Sequence, residues 1–152
     1  MQELADGAMP PPERVFDLGT GSGILAIAAA KLWPRTQVIA TDIDPMSIRA
    51  TRENAAINEV HQRISVSTDG LDEVEGDFPL VLANIQAHIL RDLRDALLPR
   101  LGPGAQLLLS GILSSQISPL VDFYCQSGLL EITSVRQSQL NADWSSASLR
   151  RL

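Results

Sequence analysis

The stretch Val15-Phe16-Asp17-Leu18-Gly19-Thr20-Gly21-Ser22-Gly23 decides how this sequence folds. An apolar run breaks into glycines at every second position, and Ile24-Leu25-Ala26-Ile27-Ala28-Ala29-Ala30-Lys31-Leu32 then supplies strong helix formers. The order reads as strand, loop, helix. Glycine has no Cβ, so the loop can take positive φ and bring its backbone N–H groups close to a ligand. The first-turn N–H groups of the following helix point into the same space. The competing reading is an ordinary tight turn between a strand and a helix, and the rest of the chain has to separate the two.

Spacing narrows the ligand. A dinucleotide site uses G-x-G-x-x-G, with the pyrophosphate on the helix N-terminus. This chain has G-x-G-x-G preceded by Asp17. A carboxylate beside the loop repels a diphosphate and suits a cationic or hydrogen-bond-donating ligand. That favours S-adenosylmethionine over NAD.

Composition excludes several classes. With 152 residues, 45% of them hydrophobic, the chain is expected to be one globular domain. A net charge of −6 with scattered basic residues argues against direct nucleic-acid binding, which needs clustered Lys and Arg. One cysteine, Cys125, and two histidines leave no disulfide framework and no metal cluster. Cys125 falls among Leu120, Val121, Phe123 and Tyr124 in a helical pattern, where a thiol behaves as a small hydrophobe. Free cysteine, no basic-then-apolar leader and no run long enough to span a bilayer point to the cytoplasm and away from a membrane.

In chain order, Met1 to Ala8 reads as the end of a helix and Pro10-Pro11-Pro12 as an extended connector. A strand at Arg14 to Leu18 leads into a helix from Gly23 to Trp33, stopped by Pro34. The second strand, Gln37 to Thr41, ends in Asp42-Ile43-Asp44-Pro45. Ligands of open parallel sheets bind beyond the carboxyl ends of the strands, where an acidic residue accepts ribose hydroxyls. Asp42 is that residue, and Ile43 can cover an adenine face. Asp44 and Pro45 read as N-cap and first turn of a helix reaching Asn58. A third strand, Ile64 to Ser67, brings Asp69 to another carboxyl end, within reach of an adenine amino group. The acidic run Asp72, Glu73, Glu75 and Asp77 reads as a solvated loop more readily than as a lure for a basic partner.

The fourth strand, Leu80 to Ala83, is apolar throughout and ends in Asn84-Ile85-Gln86-Ala87. In a doubly wound sheet Asn84 flanks the same crevice as the glycine loop, and its amide can hold an amine without adding net charge. Capping of the next helix is the other reading of Asn84. His88 reads as a surface residue. A helix from Ile89 to Leu101 ending at Gly102-Pro103-Gly104, a strand Gln106 to Ile112, a helix Ser114 to Gly128, and strands Leu129 to Val135 and Trp144 to Leu152 complete the series. The alternation predicts a Rossmann-like, doubly wound α/β three-layer sandwich.

Together, Asp17-Leu18-Gly19-Thr20-Gly21-Ser22-Gly23-Ile24-Leu25, Thr41-Asp42-Ile43-Asp44-Pro45-Met46, Ala83-Asn84-Ile85-Gln86-Ala87 and Leu109-Ser110-Gly111-Ile112-Leu113 resemble PrmA, a methyltransferase family acting on large-subunit ribosomal protein eleven. The resemblance covers Glu13 to Ile117, and Trp144 matches a tryptophan near that family's last strand. It implies a seven-stranded, mostly parallel sheet with an antiparallel last strand, S-adenosyl-L-methionine as cofactor, and a ribosomal protein amine as acceptor. By position, Asp17, Gly19, Thr20, Gly21 and Gly23 surround the methionine part of the cofactor and Asp42 takes the ribose. Ile43 and Asp69 contact adenine, and Asn84 is the catalytic residue beside the transferable methyl.

The chain also departs from that family. Residues 1–12 are too few for its N-terminal recognition domain and do not contain the Phe-Gly-Thr-Gly loop that precedes the family's first strand, so they are expected to be a truncated N-terminal segment and residues 13–152 the methyltransferase domain alone. A chain of that kind is expected to bind cofactor but methylate poorly. Pro79 stands where the family has an acidic residue, and Ser145-Ser146-Ala147-Ser148 is an unusually polar last strand. Two other classes remain: a non-catalytic cofactor-binding remnant, and an NAD-dependent enzyme, which the glycine spacing and Asp17 oppose.

Overall fold

A computed structural model describes residues 10–152, so the helix end expected at Met1 to Ala8 lies outside the described residues. Strands and helices follow one another in the predicted order, with strand following strand, and no helix between them, from Ser67 to Phe78 and from Gln137 to Trp144. The fold is α/β with a seven-stranded, mostly parallel sheet in which the last strand runs antiparallel to both its neighbours. Contacts group the chain into two compact units, Met1–Val74 and Glu75–Leu152.

In the first unit, β1 (Arg14–Leu18), α1 (Ile24–Leu32), β2 (Gln37–Thr41), α2 (Pro45–Ile57) and β3 (Ile64–Ser67) follow the expected bounds within a residue or two. β2 lies between β1 and β3 and pairs in parallel with both, Asp17 standing opposite Ala40 and Thr41 opposite Ser67. Parallel pairing places the carboxyl ends of all three strands at one edge, which is where the glycine loop leaves β1. α1 is built from small and branched apolar residues and buries Ala26, Ile27, Ala29 and Ala30. Asp44 caps α2 as expected, its carboxylate accepting the Met46 N–H at 2.9 Å.

The second unit holds β4 (Phe78–Asn84), α3 (Ala87–Leu97), β5 (Leu101–Leu113), α4 (Ser114–Cys125), β6 (Leu130–Gln137) and β7 (Trp144–Arg151). β4 pairs in parallel with β5, and β7 inserts antiparallel between β5 and β6. Several boundaries differ from expectation. α3 begins two residues earlier and stops at Leu97, because Pro99 has no N–H to continue the ladder and its ring crowds the preceding turn. Leu98–Arg100 tighten into a 3₁₀ turn.

Gly102-Pro103-Gly104 does not end a helix but lies inside β5. Phe78 and Leu101 are both buried and pair at once, and the register then slips so that Leu80 meets Gln106. The slip falls at Pro79, which cannot donate to a ladder. The final helix ends at Cys125 instead of Gly128, whose positive φ of 70° closes the turn with an N–H to Cys125 O bond of 2.9 Å. The polar sequence of β7 is accommodated inside the sheet: the Ser145 hydroxyl lies 2.8 Å from that of Ser114, which itself donates to Ala142 O at 2.7 Å.

Candidate functional site

The glycine loop is assembled from three directions within the first unit. Gly19, Gly21 and Gly23 all have positive φ, at 70°, 57° and 84°. From the end of β2, Thr41 O accepts both the Gly19 and the Thr20 N–H at 2.9 Å. From α1, Ala26 N–H reaches back 3.1 Å to Asp17 Oδ2, which also accepts the Thr20 hydroxyl at 2.7 Å. Gly23 is the N-cap of α1 and has no side chain to cap with. Asp17, distant in sequence, satisfies a first-turn donor in its place.

Asp17 is 1% exposed, so it shapes the loop from beneath instead of facing solvent. Burial pushes its carboxyl up from 3.8 to about 6; the bonds from Thr20 and Ala26 pull the other way, and the Asp42 charge adds a smaller upward push. Asp42 is half-buried at the end of β2. Its Oδ2 accepts Gly21 N–H at 2.9 Å and its Oδ1 accepts Asp44 N–H at 3.0 Å. Ile43 is 91% exposed, an unusual position for a large apolar side chain beside a carboxylate. Asp69 is exposed beyond β3 and accepts the Ser67 hydroxyl at 2.7 Å.

Two contributors from α2 escape a reading of the sequence. Thr51 is fully buried and donates its hydroxyl to Gly21 O at 3.0 Å, and Asn54 donates its amide to Ser22 O at 2.8 Å. A Cβ on Gly23 would stand 2.8 Å from the Thr51 methyl, so the loop and α2 touch with no room between them. The available signal was a polar residue on the buried face of α2, in line with Ile48 and Ala55.

In the second unit, Asn84 is the last residue of β4, exposed and opposite Ser110 of β5. It does not cap the next helix: the N-cap position of α3 is Gln86, and no side chain bonds there. Its amide rests against Gly111, whose φ is 69° and whose Cβ, if present, would lie 2.0 Å from Asn84 Oδ1. Register between β5 and β7 shifts between Leu109 and Ile112, an irregularity that re-aims the end of a strand. Gly111 borders a pocket of about 230 Å³ shared with Gln86, His88, Leu113 and Trp144, the last 43% exposed. His88 is the second residue of α3 and exposed, as expected.

Cys125 is half-buried at the end of α4, where burial pushes its thiol up. Among the described residues no group of three or more His, Cys, Asp or Glu could hold a metal ion. No described helix is long and apolar enough to cross a membrane.

Comparison with known proteins accounts for nearly the whole chain. A family described as "Ribosomal protein L11 methyltransferase (PrmA)" matches residues 3–151. A protein of Bradyrhizobium diazoefficiens with that name is 43% identical over 147 residues, covering 93% of this chain and 48% of the relative. One from Citrifermentans bemidjiense is 39% identical over 150 residues, covering 98% of this chain and 46% of its own length. The crystal structure of a ribosomal protein L11 methylase from Lactobacillus delbrueckii subsp. bulgaricus superposes with a TM-score of 0.87 at 35% identity, over 99% of this chain and 76% of that one. The chain thus spans about half the length of these curated relatives. By the match along its length and the likeness of its fold, it belongs to the PrmA family of ribosomal protein L11 methyltransferases.

Proposed function

We propose that this chain binds S-adenosylmethionine and transfers its methyl group to an amine of a protein, a ribosomal protein being the substrate class that its relatives' names indicate. The observation that carries the reading is the loop of three positive-φ glycines tied to Asp42 through the Gly21 N–H. This arrangement suits the nucleoside of the cofactor. Each Asp42 oxygen accepts one backbone N–H and retains a lone pair for a ribose hydroxyl. The exposed Ile43 offers an apolar surface for a purine face, and Asp69 an acceptor for its exocyclic amine. Gly19, Thr20, Gly21 and Gly23 enclose the methionine part, with Asp17 acting through the loop it holds.

When bound, the cofactor supplies an electrophilic methyl on a sulfonium. The chain's own task is to present a neutral amine. Asn84 does this with an uncharged amide whose oxygen accepts an amine N–H and turns the nitrogen lone pair toward the methyl. A lysine ammonium, with pKa about 10.4 in water, sheds its proton more readily where desolvation disfavours the charged form. No strong base is required, and positioning supplies most of the acceleration. A ribosomal protein as substrate supports a cytoplasmic location for the chain.

Titration calorimetry with S-adenosylhomocysteine and NADH tests the reading. S-adenosylhomocysteine should bind and NADH should not, and Asp42→Ala should weaken the former at least tenfold, about the worth of a charge-assisted hydrogen bond. An unchanged dissociation constant for the variant removes Asp42 from the site, and preferential binding of NADH refutes the cofactor. Transfer of labelled methyl from S-adenosylmethionine to ribosomal protein L11 tests the acceptor.

A further inference from the structure

We propose that Thr51 and Asn54 of α2 are positioning residues for the cofactor, acting through the two loop peptides that they hold. The inference rests on the glycine loop being the cofactor's seat. Both side chains reach across some thirty residues of chain to accepting carbonyls: Thr51 to Gly21 O at 3.0 Å and Asn54 to Ser22 O at 2.8 Å.

In a trans peptide the carbonyl and the following N–H point in opposite directions, and the described chain has no cis peptide. Drawing the Gly21 and Ser22 carbonyls toward α2 therefore turns the Ser22 and Gly23 N–H groups away from it. The Gly23 N–H folds back onto Thr20 O at 2.8 Å. The Ser22 N–H has no partner among the described residues, and Ser22 is exposed. Thr51 thus sets the direction of the loop's free donor, and Asn54 that of the next N–H, which closes the loop onto Thr20 O.

A glycine-rich loop needs such restraint. Gly21 has no atom within 4 Å of where a Cβ would be, so side-chain packing does not fix its peptide plane. A flip of the 21–22 peptide rotates ψ of Gly21 and φ of Ser22; the glycine has no Cβ to oppose its share of that rotation, and a flip would exchange the outward N–H for an outward carbonyl. The Thr51 hydroxyl opposes that flip from a fully buried position. On the other side of the loop, Asp42 holds the Gly21 N–H at 2.9 Å, so three successive peptide groups are anchored.

The test compares Thr51→Val, which keeps the shape and methyl against Gly23 but removes the hydroxyl, with Thr51→Ser, which keeps the hydroxyl. Asn54→Ala is added to each. Calorimetry with S-adenosylhomocysteine should show a roughly tenfold weaker dissociation constant for Thr51→Val, near-native affinity for Thr51→Ser, and a further loss when Asn54→Ala is combined with Thr51→Val. Melting temperatures of the same variants provide the structural readout. Equal weakening in Val and Ser variants, or affinities that follow melting temperature, would overturn the proposal. Amide signals of Gly21, Ser22 and Gly23 in the ligand-free protein supply an independent measure. They should shift in Thr51→Val and not in Thr51→Ser; unchanged signals in Thr51→Val overturn the positioning role. If the native chain fails to bind the cofactor product while these shifts occur, it is the cofactor reading that falls.

Discussion

Substituting Gly23 by alanine should cost about twice what the same change costs at Gly21, two residues away in the same loop. Both have positive φ, 84° and 57°, so both alanines meet the strain of the left-handed region, about 1–2 kcal/mol. Both also gain the same small benefit from a stiffer unfolded chain. They differ in surroundings. A Cβ at Gly21 meets nothing within 4 Å, whereas at Gly23 it meets the Thr51 methyl at 2.8 Å, its hydroxyl at 3.1 Å and its Cα at 3.2 Å. Because threonine Cβ carries two heavy atoms, rotating the side chain can vacate only one of the first two positions, and the backbone atom stays, so α2 or the loop must move. Overpacking of this kind costs about 1–3 kcal/mol. The totals are then roughly 1–2 kcal/mol for Gly21→Ala and 2–5 kcal/mol for Gly23→Ala. Urea unfolding followed by circular dichroism measures both. In the double variant Gly23→Ala with Thr51→Ala, most of the excess should vanish, with a coupling of about 1 kcal/mol or more. Equal losses at the two glycines, or no coupling to Thr51, would show that α2 does not bear on the loop as described.

Asp17→Asn should remove a pH dependence. Because burial holds the Asp17 carboxyl at about 6 when folded against 3.8 when unfolded, the folded chain keeps a proton that the unfolded one has lost. The stability this gives is whole below pH about 4 and is lost as pH rises through 6, about 3 kcal/mol in all. Urea midpoints from pH 4 to 7.5 should show the native chain losing ground to Asp17→Asn over that window, and a constant difference refutes the assignment. Asn84→Ala should lower the rate of methyl transfer while leaving S-adenosylhomocysteine affinity within a few-fold, since the lost contact serves the transition state; equal loss of both would make Asn84 a structural residue. Gly111→Ala should reproduce the Asn84→Ala defect, because its Cβ would occupy the place of Asn84 Oδ1 at 2.0 Å. Normal transfer by Gly111→Ala would separate Asn84 from the reaction.

The sequence by itself determined the elements of the first unit and the place of the loop between them. Local chemistry suffices there: alternating glycines release φ, and Asp44 and Pro45 supply the N-cap and first turn of a helix. The position of Asp42, Ile43 and Asp69 just past the ends of β2 and β3 was legible because a parallel sheet sends the carboxyl ends of its strands to one edge. Where competing local signals met, the sequence misled. Pro99 ended α3 although the apolar period continued past it, and the buried pairing of Phe78 with Leu101 drew Gly102-Pro103-Gly104 into a strand that composition assigns to a turn.

Only the tertiary structure decided which side chains work on the loop. Asp17 looks like a ligand contact in sequence but is buried as a remote cap for α1, a role created by the absence of a side chain at Gly23. Thr51 and Asn54 look like ordinary positions of an amphipathic helix until packing brings α2 against Gly21 and Ser22, and Gly111 acquires its purpose from the amide of Asn84, 27 positions earlier in the chain. Backbone conformation and the buried face of an element follow from neighbours three or four residues away. The partner of a hydroxyl or of a missing Cβ follows from elements that meet only after the chain has folded.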